Sequence, residues 1–264
     1  MKIPYFVRRI AEYISRNIVL RRRLPSRFNS IPIYVTPGAS LIYWRGLRLT
    51  AFNDLYDFAE NYVHPGQTVW DVGGNVGLFS FAAAARAQEH GSVYCFEPDP
   101  TSVRLLKRSM RLNHGKIAPV QIIPTAIADS LSLEWLDVPE RSRAASHLQS
   151  TGGGAGSDIT GRIRESHLTP VVTLDWLITQ ITPPHVIKID VDGAELRVLR
   201  GGSELLRKHL PTILVEVYER NADEVTALLH ELGYSLFQYE SGEAQKSPIT
   251  RTTYNTLALP PKAL

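Results

Sequence analysis

Three observations predict an α/β fold, a largely parallel sheet with helices on both faces. Short apolar strands alternate with helical segments from Thr68 to about Glu231, the rhythm of strands that each cross over through a helix. The first of these strands runs straight into a glycine-rich turn, Gly73-Gly74-Asn75-Val76-Gly77, that opens a helix. Near the C-terminus, YSLFQY and YNTLAL follow one another with no helix between them, as expected of a closing antiparallel pair at the sheet edge.

The composition sets the bounds. A chain of 264 residues, 44% of them hydrophobic, can bury one large core with an appendage. A single cysteine, Cys95, excludes an internal disulfide framework and favours a reducing compartment, so a cytoplasmic location is expected. Residues 1–30 hold eight basic groups and one acid, a net +7 that leaves the remainder at −4. The basic balance therefore belongs to the N-terminal segment and does not describe a nucleic-acid-binding body.

The elements follow in order. In YFVRRIAEYISRNIVL, residues 5–20, Phe6, Val7, Ile10, Ile14 and Ile18 share roughly one helical stripe, with Arg8, Arg9, Glu12 and Arg16 largely elsewhere. Such a helix either docks on the body or lies on an anionic membrane surface, which would hold the chain at the inner face of the membrane. It lacks the apolar run and small-residue site of a signal peptide. IPIYV, a Pro37-Gly38 turn and SLIYWRGLRL read as a hairpin, and NDLYDFAENYV as a helix with Asn53 as its N-cap. Residues 1–50 are thus an N-terminal extension of basic helix and hairpin, and 51–264 the α/β domain.

Within that domain TVWDV leads to a helix over 76–88, VYCFE to one over 101–113, and VQIIPTAIA forms a third strand. HVIKIDV precedes a helix from about 193, and TILVEV a helix over 222–232. Between them, residues 139–167 are rich in Ser, Gly, Arg and His and include STGGGAGS. So long a stretch reads as a lid or binding loop, or as disorder.

Three glycines in one turn need a reason, because glycine loses the most backbone entropy on folding. Either strand and helix pack tightly there, or a ligand lies against the backbone at the C-terminal strand ends. Two acids favour a ligand. Asp71 stands just before the turn, unsuited to a diphosphate but suited to an ammonium group. Glu97 ends the next strand, where a carboxylate can accept from two ribose hydroxyls, and Pro98 turns the chain away. S-Adenosylmethionine has an ammonium, a carboxylate and a ribose, and no phosphate. An NAD-dependent oxidoreductase would want different glycine spacing, and a non-catalytic scaffold would have no need of the acids.

VWDVGGNVGLFSFAA, VYCFEPDP, IIPTAIAD, VVTLDWL, VIKIDVDGAELRVLRGG and ILVEVYE resemble, in that order, the FkbM-type S-adenosylmethionine-dependent methyltransferases over roughly residues 50–260. The resemblance implies a class I methyltransferase, Rossmann-like fold of seven strands with the last antiparallel. It also implies O-methylation of a hydroxyl on a sugar, glycolipid or natural product. Asp192 departs from the family, which usually carries Glu there.

In that setting Gly73, Gly74, Asn75 and Gly77 are expected to hold the methionine end and backbone side of the cofactor, and Asp71 to face its ammonium, directly or through water. Glu97, with Pro98, would hold the ribose. Asp129 would take the adenine amino group, unless it is an ordinary turn residue. Lys188, Asp190 and Asp192 alternate along the fourth predicted strand, so they share one face. There they meet a ligand or one another, with Glu216 able to join. Asp190 is the candidate general base. His147, in the loop, is either the second candidate or solvated. No metal is called for, since no acid-rich loop accompanies Asp190 and Asp192. Tyr218, Trp135 and the loop arginines could line a glycan site, or could be packing or surface residues.

Overall fold

The computed structural model describes residues 13–15, 17–140, 142–152, 162–240, 243–244 and 247–261. The predicted N-terminal helix lies mostly outside them. Residues 13–15 are helical, but Ile18 and Val19 are not, and Leu20 already begins β1 (Leu20–Arg23). This strand pairs antiparallel with β2 (Pro32–Val35), so the hairpin expected between residues 31 and 49 is replaced by an earlier one. Leu41–Trp44 form a 3-10 turn instead of a strand. The Arg22 guanidinium donates to the Tyr43 and Trp44 carbonyls at 3.2 Å each, which satisfies groups a second strand would have paired.

Helix α1 (Asn53–Tyr62) starts at Asn53 itself. Phe52 occupies the cap position and no side chain caps it, contrary to the expected role of Asn53. Strand β3 (Thr68–Val72), helix α2 (Leu78–Ala87), strand β4 (Ser92–Phe96) and helix α3 (Pro100–Asn113) follow as the alternation predicts. Asp99 caps α3 by accepting from the Ser102 amide at 2.8 Å, and Pro100 sits in the first turn where its missing N–H is harmless.

The third predicted strand is two. Pro124 separates β5 (Val120–Ile123), in the main sheet, from β6 (Ala126–Ile127), in a second sheet. Proline cannot donate to a ladder, and the chain changes sheets there. That second sheet also corrects the reading of residues 139–167 as one long loop. It has the order β6-β9-β7-β8, with β7 (Ser132–Pro139), β8 (His147–Leu148) and β9 (Ile163–Val172). Strands β7 and β9 form a long antiparallel hairpin. Its inner side carries a small core of Ala126, Leu136, Val138, Leu148 and Val171.

After α4 (Leu174–Leu177), β10 (Val186–Ile189) returns to the main sheet, then α5 (Glu195–Arg200), α6 (Ser203–His209), β11 (Thr212–Glu216), α7 (Ala222–Glu231), β12 (Ser235–Glu240), β13 (Glu243–Ala244) and β14 (Asn255–Leu259). The main sheet is ordered β13-β12-β14-β11-β10-β3-β4-β5. β5, β4, β3, β10 and β11 are mutually parallel, and β14 runs antiparallel to both β11 and β12. The closing antiparallel pair is therefore real, but its last strand is inserted within the sheet and not at the edge. Seven strands carry the sheet, with the two-residue β13 added at its margin.

Side chains alternate between two apolar layers. Val69 faces α2, α3 and the N-terminal residues Leu24, Phe28, Ile33 and Val35. Trp70 and Val72 face α4 to α7 through Leu174, Leu199, Leu205 and Leu229. No helix among the described residues is long and apolar enough to cross a membrane. Phe58 joins α1, α2 and β12, with Tyr62, Phe79 and Tyr239 at ring distances of 5.2, 5.5 and 6.0 Å. Phe58→Ala is expected to lower unfolding stability by about 3–5 kcal/mol, read from urea denaturation, through the cavity it opens.

Candidate cofactor and acceptor site

The strand order reverses between β3 and β10, and a crevice opens beyond their C-terminal ends, roofed by the second sheet. Gly73, Asn75, Glu97, Pro98, His147, Asp190 and Asp192 line it together, as do Thr125, Ile127, Leu136 and Arg143. Asp71, Gly74, Gly77 and Asp129 do not.

The glycine turn is used mostly for packing. Gly73 has φ +84°, and a Cβ there would lie 1.8 Å from the Asp190 carbonyl oxygen. A Cβ on Gly74 would lie 2.2 Å from Cys95 Sγ, and one on Gly77 2.6 Å from Leu106 Cδ2. The Gly73 and Gly74 amides both donate to the Phe96 carbonyl, at 3.0 and 3.1 Å, so neither points at a ligand. Asn75 takes the left-handed φ of +49° and donates its amide to Glu97 Oε2 at 2.7 Å.

Register places Asp71 beside Cys95 on β4 and Lys188 on β10. Asp71 is wholly buried and is not part of the crevice wall, so no direct contact with a ligand there is open to it. Ser80 Oγ donates to its Oδ2 at 2.5 Å, and Lys188 Nζ lies 3.7 Å from its Oδ1. Lys188 Nζ also donates to Asp190 Oδ2 at 2.9 Å and to the Gly73 carbonyl at 3.3 Å. Burial alone would lower its pKa, but Asp190, Asp71 and Glu216 outweigh that and hold it above the ordinary lysine value. Lys188 is thus a fixed cation and cannot serve as a base.

Strand β10 ends at Ile189, so the expected alternation of Asp190 and Asp192 on a strand does not apply. The chain turns there, with Asp192 at φ +52°. Asp190 stays partly exposed, at 38% of its side chain, facing the crevice. Asp192 is buried, and its Oδ1 accepts from Tyr218 Oη at 2.7 Å. Among the described residues its Oδ2 has no hydrogen-bond partner, and neither has Asn75 Oδ1. Burial raises the Asp192 pKa, opposed by the Tyr218 hydroxyl and then by His147.

His147 is buried on β8, not loose in a solvated loop. Its Nδ1 lies 3.1 Å from the Ala145 carbonyl; donation there leaves Nε2 as an acceptor. Glu97 is buried and accepts from the Asn75 and Asp99 amides at 2.7 and 2.8 Å. Burial first, then Asp99, pushes its pKa up to about 8. Asp129 is turned away to Arg197, with Nη2 2.7 Å from its Oδ1, which leaves it no part in the crevice wall.

Two buried groups were not singled out in the sequence. Glu195 accepts from the Gly193 amide at 2.7 Å and from Asn221 Nδ2 at 3.3 Å, fastening the turn after β10. Its position two residues past Gly193 is the local signal. Arg143 is held between Asp99 and Glu165. Those partners lie 44 and 22 residues away, and no local pattern announces them.

The crevice offers buried acceptor atoms without donors, at Asn75 and Asp192, beside a carboxylate at the end of β4. An ammonium and two ribose hydroxyls are donors of the right kind, so the residues fit S-adenosylmethionine, and Glu97 and Asn75 would hold it against the turn at Gly73. The sheet order, with β14 reversed, and this crevice define a class I S-adenosylmethionine-dependent methyltransferase. The sequence model of the Methyltransferase FkbM domain matches residues 71–236, and the chain belongs to that family. It is 25% identical over 191 residues to the hexuronic acid methyltransferase AglP of Haloferax volcanii, covering 71% of this chain and 72% of that protein. It is 26% identical over 200 residues to the 31-O-demethyl-FK506 methyltransferase FkbM of Streptomyces tacrolimicus, covering 66% and 75%. Among solved structures, methyltransferase FkbM of Methylobacillus flagellatus aligns at TM-score 0.49 and 15% identity, over 96% of this chain and 59% of that one.

Two predictions follow from the packing and the charge. Gly74→Ala should destabilise the fold by driving its methyl into Cys95 Sγ, and Gly74→Ala/Cys95→Ala should recover stability. A double-mutant cycle by denaturation is expected to give a coupling of about 0.5–3 kcal/mol. Glu97 binds its proton more tightly folded than unfolded, so its contribution falls as pH rises from its ordinary 4.5 to about 8. Urea midpoints of the cofactor-free protein should decline across that window, and Glu97→Gln should flatten the decline.

Proposed function

We propose that the chain transfers a methyl group to a hydroxyl of a sugar, glycolipid or natural product, with Asp190 as the general base. The observation that carries this reading is the Asp190 carboxylate, facing the crevice while its Oδ2 is pinned by Lys188 at 2.9 Å. S-Adenosylmethionine, when bound, supplies an activated methyl on a sulfonium that leaves as a neutral thioether. The protein must therefore align the acceptor oxygen and remove its proton, with no acid needed for the leaving group.

Lys188 orients Asp190 and ties it to the Gly73 carbonyl on the cofactor side. The acceptor proton passes to Asp190. Asp192, braced by Tyr218, presents a free oxygen for a further hydroxyl of the acceptor. His147 stands beside it as a second proton acceptor. Glu97 receives the ribose hydroxyls in its ionised form, so cofactor binding near neutral pH releases a proton there. The relatives' names support the acceptor class, one a hexuronic acid methyltransferase and the other acting on a demethylated hydroxyl of FK506.

Asp190→Asn is expected to lower kcat by about 10²–10⁴-fold. Calorimetric affinity for S-adenosylhomocysteine should remain within a small factor of wild type. Turnover retained in this variant would remove Asp190 from the chemistry.

A further inference from the structure

Glu97 is held by two backbone amides. Asn75 donates to its Oε2 at 2.7 Å and Asp99 to its Oε1 at 2.8 Å. An ionised carboxylate has roughly four lone-pair sites, so each oxygen keeps one in reserve. What fixes the Asp99 amide is the side chain of Asp99 itself. Its Oδ2 accepts from the Ser102 amide at 2.8 Å, in the first turn of α3, and its Oδ1 accepts from Arg143 Nη1. Arg143 Nη2 donates to Glu165 on β9. The side chains of Asp99 and Arg143 are only 1% and 6% exposed. A pair buried so deeply is tolerated only with close geometry.

The backbone at Arg143 is fixed separately, by the N-terminal extension. The Arg143 amide donates to the Gly38 carbonyl at 3.3 Å, and the Ala144 amide to the Ala39 carbonyl at 3.4 Å. Ser142 Oγ donates to that same Ala39 carbonyl at 2.8 Å. The extension, the cap of α3 and the second sheet are therefore joined at one residue. Arg143 also lines the crevice with Glu97, and it is the one permanent cation among the described residues of that wall.

We propose that Arg143 is a positioning residue for the cofactor: it fixes Asp99, and through the Asp99 amide it holds the Glu97 carboxylate where the ribose hydroxyls arrive. The inference rests on the reading of Glu97 as the ribose partner. It has an electrostatic side as well. Asp71, Cys95 and Asp99 flank Glu97 from β3 and from its own segment, and Arg143, His147, Asp190 and Asp192 share its wall. Burial, and then the charge of Asp99, push the Glu97 pKa up to about 8. Arg143 counters that charge from the far side of Asp99. Without Arg143, Glu97 gives up its proton at higher pH; without the Asp99 charge, at lower pH. Glu97 receives the hydroxyls ionised, so cofactor affinity rises with pH and its midpoint follows Glu97.

The test is calorimetric titration of the full chain with S-adenosylhomocysteine at pH values on both sides of about 8. Arg143→Gln should move the midpoint up and Asp99→Asn should move it down, each by about one pH unit. At pH 7 the upward move alone makes binding about tenfold weaker. Arg143→Gln/Asp99→Asn should fall between the single variants. Arg143→Lys, which keeps the charge without the fork, should bring the midpoint back toward wild type. The other titratable groups are common to every arm, so the differences read this pair. Should Arg143→Gln lose its cooperative urea transition, Asp99→Asn and the double variant carry the test, since neither leaves Asp99 an unpaired buried anion.

Midpoints that stay in place, with affinity lowered equally at every pH, would show a merely structural role and overturn the proposal. Midpoints that move the same way in Arg143→Gln and Asp99→Asn would overturn it too. Glu97→Gln binding S-adenosylhomocysteine as wild type does, with the same pH dependence, would instead overturn the ribose reading of Glu97, and it is read in its own titration.

Discussion

The buried ammonium of Lys188 is the interaction on which the site depends. It contacts Asp71 inside the sheet, the Gly73 carbonyl in the turn after β3, and Asp190 at the mouth of the crevice. A cation so deeply placed is tolerable only with such partners around it. The consequence is mechanical as well as electrostatic. One side chain links the two adjacent strands beyond whose C-terminal ends the crevice opens. Asp71, which looked like a ligand group in the sequence, serves as the inner anchor of this link.

The rest of the site is built around that link. Glu97 and Asn75 are bound to each other across the ends of β3 and β4, and Glu195 fastens the turn after β10. The second sheet then closes the top, bringing His147 and Leu148 over strand ends that belong to a different sheet. Arg143 crosses beneath it to Asp99 and Glu165, linking the cap of α3 to the hairpin. Apart from Glu195, whose nearest donor is the Gly193 amide, these are contacts to partners distant in sequence.

That distance explains what could be read from the sequence and what could not. Every parallel strand of the main sheet was legible, because a doubly buried strand is written as a local apolar run, and TVWDV matches β3 from end to end; the parallel pair β6 and β9 of the second sheet was not. The crevice position was legible from the glycine turn and from Glu97. The turn's reason was not. Gly74 and Gly77 answer to Cys95, Leu106 and Phe81, which periodicity cannot locate. Residues 139–167 were misread because a hairpin whose strands are divided by a polar, glycine-rich stretch shows no local alternation strong enough to declare it. The pairing of Asp129 with Arg197 was illegible for the same cause, since Arg197 lies 68 residues on. The departure at Asp192 has a visible counterpart in Tyr218, whose hydroxyl meets the shorter acid.

The place of β14 bears on how the molecule is made. Residues 255–259 insert between β11 and β12, which have no ladder with each other. In synthesis β11 and then β12 precede the strand that joins them, and the open edge of β11 waits longest for it. The central parallel strands can assemble early, whereas the far side of the sheet waits for a contact made across some forty residues of chain. Edges open for that interval are the vulnerable state of this protein. Polypeptides stalled before residue 255 are the species that a chaperone would need to shield.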